Sequence, residues 1–241
     1  MKKLNFFGVA MQFTITFGIL LCSCSKSGND DRVILKNELS KNLIFISSSK
    51  LDATDFMEYS ITNCDNPFES AGIYSITVSK KFIKEIESKK SDPDSIINQF
   101  VNVLNSGMPE SLKVIDSTDF DSLEKTIQNT LYNIYINECL ENFVVKSKKI
   151  ENLVCESKYF TDNQKKRVLI NSSVMRQEIG LFENYFSDSK EMKPKWGQCM
   201  KKKLEDLQNC KDCTIEQIKC ALLWLECFGV KAIDCLIALI F

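Results

Sequence analysis

The stretch DPDSIINQFVNVLNSGMP, residues 92–109, decides the fold class. Asp92 offers a side-chain oxygen to the free amides of a helix start, and Pro93 takes the first helical position, where its missing N–H costs nothing. Ile96, Ile97, Phe100, Val101 and Leu104 then recur at helical spacing, and Ser106-Gly107-Met108-Pro109 ends the pattern. One amphipathic helix is thus bounded at both ends by its own residues.

Working outward, the same period recurs on both sides. Val33, Ile34, Leu35 and Leu39 suggest a first helix. Leu43-Ile44-Phe45-Ile46 either extends it or forms a short strand before Ser47-Ser48-Ser49. Between Ile73 and Val78, Tyr74, Ile76 and Val78 alternate with Ser75, Thr77 and Ser79, the period of a half-buried strand. It is expected to pair with 43–46 as a short β-hairpin. After Asp119, Phe120, Leu123, Ile127, Leu131, Ile134, Leu140 and Phe143 form a longer helical pattern, broken by Lys146-Ser147-Lys148-Lys149. Ile150, Leu153 and Val154 then form a shorter helix, and the two make an antiparallel hairpin. Thr161-Asp162-Asn163-Gln164 has capping-box form and begins a helix running to about Phe186. The expected fold is mainly α: a helical bundle with that one β-hairpin and a disulfide-stapled helical carboxy-terminal segment.

Composition narrows the chemistry. The 241 residues include no histidine, which excludes Ser-His-Asp and Cys-His catalysis and His-bearing zinc sites. The eight glycines form neither G-x-G-x-x-G nor G-x-x-x-x-G-K-[ST], so the common nucleotide cradles are excluded as well. Carboxylate-only catalysis survives, but no Asp/Glu pair is singled out. With 31 basic and 32 acidic residues there is no basic field to attract a phosphate backbone, and nucleic acid is not an expected partner. No cofactor is expected.

Residues 1–24, MKKLNFFGVAMQFTITFGILLCSC, have the three parts of a secretory leader: Lys2 and Lys3, the mostly apolar run Phe6 to Leu21, and a small residue before Cys24. Leu21, Ser23 and Cys24 occupy the −3, −1 and +1 positions of a lipobox, with Cys22 at −2. The segment resembles a bacterial lipoprotein signal peptide of the Bacteroidota kind. That resemblance implies cleavage after residue 23, acylation of Cys24 and an outer-membrane, periplasmic or surface-facing address. An uncleaved anchor and ordinary signal cleavage are the alternatives; Gln12, Thr14 and Thr16 count against the anchor. Residues 24–31 read as a Ser/Gly/Asp-rich tether, 32–189 as the helical body and 190–241 as a cysteine-rich helical end.

Six of the eleven cysteines fall in that end: Cys199, Cys210, Cys213, Cys220, Cys227 and Cys235. Export places them where disulfides persist. Lys193 to Asn209 is expected to be helical. Thr214-Ile215-Glu216-Gln217 should begin another helix reaching about 228, with Gly229 as its stop before a last apolar helix to Phe241. Hairpins at 211–213 and 228–229 then set Cys199 opposite Cys227 and Cys220 near Cys235, while Cys210 and Cys213 close the turn between them. Cys139 and Cys155 would staple the earlier hairpin, leaving Cys64 unpaired. A zinc site or a redox motif at Cys210-Lys211-Asp212-Cys213 is the alternative reading. The first lacks a second C-x-x-C and the second lacks βαβ surroundings.

Residues 190–203 carry six Lys against one Glu just ahead of the apolar end. In composition the segment is similar to the carboxy-terminal peptides of halocin-type and related cysteine-rich bacteriocins, which implies a membrane-active peptide released from a precursor. The leading expectation is instead a non-enzymatic, lipid-anchored binding module, toxin-neutralising for example, whose partners are the membrane and another protein.

Overall fold

The structure is a computed structural model that describes residues 31–56, 59–88, 92–112, 121–209 and 224–240, with side chains at 207–209 and 224–227 left out of account. Eight helices are described: α1 (31–48), α2 (Glu69–Ser88), α3 (Pro93–Gly107), α4 (Ser122–Asn137), α5 (Leu140–Glu156), α6 (Asp162–Tyr185), α7 (Met192–Asn209) and α8 (Trp224–Ile240). Short 3-10 turns lie at Ala53–Phe56 and Glu110–Leu112.

Helix α6 is the axis of the bundle, packed against α2, α4, α5 and α8. Its capping box forms as its residues require: the Thr161 hydroxyl accepts from the Gln164 amide, and the Gln164 side chain accepts from the Thr161 amide. Every residue from Arg167 to Gly180 is buried. Helix α8 closes the bundle against α2, α3, α6 and α7, with Ala232, Ile233 and Leu236 fully buried. The start of α3 is as expected, the Asp92 carboxylate accepting from the Ser95 amide.

Three expectations are corrected. The β-hairpin is absent, since among the described residues no strand occurs. Residues 43–46 continue α1, and 73–78 lie inside α2. The alternation at 73–78 misleads because the side of α2 against α6 is small and polar rather than apolar. Ser75 and Ser79, one helical turn apart, are fully buried there. A Cβ on Gly72 would come within 2.5 Å of Ser173 Oγ and 2.6 Å of the Ser173 carbonyl oxygen. Close helix approach has replaced the apolar stripe that marks most helices.

The second correction concerns 146–149, which is not a turn. The chain reverses at Glu138-Cys139, and α5 runs through the lysines without a break. Lys146 is buried along its stem, and its Nζ donates to the Ser47 carbonyl and to Glu138 Oε1 at 2.9 and 2.7 Å. A lysine whose ammonium reaches partners at the far end of the stem is a core residue.

Third, Gly229 does not stop a helix, because α8 passes through it. A Cβ there would sit 3.1 Å from Phe100 Cζ, so the missing side chain serves the approach of α3 to α8.

Candidate functional site

Cys199, in the second turn of α7, is joined to Cys235 of α8, with Cα atoms 5.8 Å apart. This differs from the expected Cys199–Cys227 and Cys220–Cys235 pairs, both of which depended on hairpins about 211–213 and 228–229. With α8 continuous across Gly229, the second hairpin does not exist, and Cys235 faces α7 instead. Cys227 lies on α8, eight residues and about two turns from the bridge. The expected Cys210–Cys213 pair, Cys220 and the acylation site Cys24 lie outside the described residues.

Cys139 and Cys155 are separate free thiols. Cys139 is the N-cap of α5 and Cys155 is in its last turn, so about 24 Å of helix stands between them and no disulfide can join them. Cys64 is likewise free, and it is exposed.

The α7–α8 corner around the bridge is packed by aromatic side chains. Trp196 is fully buried, stacks on Phe182 of α6 with centroids 4.9 Å apart, and donates through Nε1 to the Ala232 carbonyl. Lys203 pairs with Asp234 across the same two helices. Outside this corner, the α4–α5 reversal, the end of α6 and the first turns of α7 enclose an open groove of about 620 Å³. Cys139, Glu141, Glu183, Lys193, Gln198 and Lys201 are among its lining residues. Glu183 and Lys193 pair at 2.8 Å across it. The walls therefore offer both charges, amide groups and the ring of Tyr135.

A second constellation is fully enclosed. Arg176 on α6 reaches Glu69 at the start of α2 through Nη2 at 2.5 Å and Glu151 on α5 at 3.1 Å, and neither Arg176 nor Glu151 has exposed surface. Arg176 also donates to the Ile61 carbonyl. Its two carboxylates leave one negative charge over, and neutral donors spread it: Asn63 to Glu151 at 2.6 Å, Gln177 to Glu69 at 2.6 Å and Ser173 to Glu69 at 3.0 Å. A substrate has no approach to Arg176 and Glu151 in this arrangement. The cluster acts as a clasp holding segment 61–69 onto α5 and α6. Arg167 makes a bidentate pair with Glu124 of α4, both contacts 2.9 Å, two and a half turns earlier on the same axis.

Glu178 differs from these acids. It is fully buried, its Oε1 accepts from Ser75 and Ser79 at 2.5 and 2.8 Å, and its Oε2 has no hydrogen-bond partner. Burial raises its carboxyl from the ordinary 4.5 to about 7, the two hydroxyls pulling the other way.

Sequence reasoning treated α6 as an ordinary amphipathic stripe and missed these groups. A signal was present: Val168-Leu169-Ile170 and Val174-Met175 put apolar residues on every side of the helix, leaving no side for water. Its Arg, Glu and Gln residues must then be buried as well. Among the described residues no group of three or more Cys, Asp or Glu is placed to hold a metal ion, and no helix is long and apolar enough to cross a membrane. No family model, curated protein or solved structure matches the chain.

Proposed function

We propose that the chain is an exported lipoprotein, held by acyl groups on Cys24, whose helical body is a non-enzymatic module that binds another protein through the groove beside α7. The groove carries the reading. It is open, mixed in charge, and framed by elements that the buried Trp196, the Cys199–Cys235 bridge and the α4–α5 reversal hold in place. Binding on a pre-organised frame loses little freedom. A disulfide between α7 and α8 also fits a compartment outside the reducing cytosol.

The alternative reading, release of 190–241 as a membrane-active peptide, is less well supported. Phe228, Ile233 and Leu236 of α8 are buried within the shared core, so release would strip the body of its closing helix.

Two measurements test the proposal. Intact mass and detergent partitioning of the mature chain should show acyl groups on an amino-terminal Cys24; a free terminus elsewhere sinks the anchor. Protein captured from the outer membrane by the acylated chain should be lost with Glu141→Lys combined with Lys201→Glu, at unchanged melting temperature. Equal capture by that variant rules the groove out.

A further inference from the structure

We infer that the outward face of α1 lies on the phospholipid surface to which the chain is anchored, so that the body is docked on the bilayer at a fixed orientation instead of hanging from its tether. Leu39 and Leu43 are buried, with Leu35 and Ile46 packed beside them, and these four set the inner side of α1. Opposite them stand Val33, Ile34, Ile44 and Phe45, exposed by 58%, 61%, 65% and 71%. Residues eleven apart in a helix differ by only about 20° in direction, so Val33 with Ile44, and Ile34 with Phe45, form two apolar rows, each about 17 Å long and about 100° apart around the helix. Between the pairs on the same arc are Asn37, Lys41 and, at the end, Ser48, all exposed. Lys41 is the one charge within the arc, and exposed Glu38 borders it, about 20° beyond Phe45.

An apolar arc with a lysine able to extend its ammonium to the headgroups has the chemistry of an interfacial helix. A second copy of the chain is the less suitable occupant. The four side chains expose roughly 500 Å², well below the about 800 Å² per partner of a stable interface. Position along the chain adds the decisive constraint, and here the inference rests on acylation at Cys24. Only residues 25–30 separate the acylated cysteine from α1, and six residues reach at most about 21 Å. The start of α1 therefore stays within about 21–25 Å of the bilayer whatever the body does, and insertion of α1 along its length adds a second, non-covalent attachment.

The test uses the acylated full chain in vesicles whose phospholipids carry brominated acyl chains, with tryptophan introduced by Phe45→Trp or, as control, by Lys84→Trp on the exposed side of α2. Trp196 and Trp224 contribute equally to both and are subtracted. The expected result is severalfold stronger quenching of the residue at 45 than of that at 84. Vesicle-bound Ile44→Ser/Phe45→Ser protein should show faster amide exchange over 31–48 at an unchanged melting temperature. Equal quenching at the two positions in protein whose mass shows the acyl groups overturns this inference and leaves the anchor intact. Absence of acyl groups overturns the anchor itself. Shielding of position 45 from brominated lipid together with cross-linked pairs of chains overturns the inference in favour of a second copy.

Discussion

Replacing Glu178 by glutamine should make the stability of this protein less dependent on pH, and in a stated direction. The carboxyl is raised from 4.5 to about 7 in the folded chain, so between those values the native state holds a proton that the unfolded chain has released. The contribution of Glu178 to stability is therefore highest below about pH 4.5, declines as pH rises, and levels off above about 7. At about 1.4 kcal/mol for each tenfold change in proton affinity, the displacement amounts to about 3 kcal/mol. Glutamine keeps an oxygen for Ser75 and Ser79 and stays neutral throughout. Urea unfolding at pH 5 and pH 8 should show the unsubstituted protein losing about 2–3 kcal/mol relative to Glu178→Gln over that interval. With no histidine in the chain, the usual titrating side chain of this range is missing and the difference is legible. A gap between the two proteins that stays constant from pH 5 to pH 8 would refute the assignment of a neutral buried carboxyl.

Other consequences are equally direct. Arg176→Met leaves Glu69 and Glu151 buried without their cation and should cost about 3–5 kcal/mol in chemical unfolding. Cys199→Ser opens a bridge that closes 36 residues of chain and should lower stability in urea unfolding by about 3–4 kcal/mol. Gly72→Ala forces a methyl group onto the Ser173 backbone and should cost about 1–3 kcal/mol. Gly197→Ala, which meets nothing within 4 Å, should instead stabilise the fold through helix propensity by about 0.5–1 kcal/mol, read as a raised melting temperature.

The helices were legible wherever a chemical boundary marked them. Asp92-Pro93 and Thr161 through Gln164 define their own ends, and those ends stand in the structure. What misled were residues whose meaning depends on the neighbouring element. Ser75 and Ser79 look like the polar side of a strand until α6 is laid against them. Lys146 looks like a turn residue until Ser47 and Glu138 are within reach, and Gly229 looks like a stop until Phe100 fills its side. The cysteine pairing inherited those errors, because each pair was deduced from where the chain was taken to turn. The groove had no signal in the sequence at all: Glu141, Glu183 and Lys201 are ordinary surface residues until three segments bring them together.

Burial of α8 has a consequence for how the chain is made. The side chains of α2 and α3 that meet residues 224–240 are synthesised more than a hundred residues ahead of them. Until α8 arrives, Phe100 and Leu104 lack the helix that covers them, so the amino-terminal half cannot reach its final state ahead of the rest. A chain obliged to wait in this way stays pliable through synthesis, the condition in which a polypeptide can be threaded across a membrane. A product cut short before residue 224 would keep that apolar surface open and be visible to proteases and chaperones as unfinished.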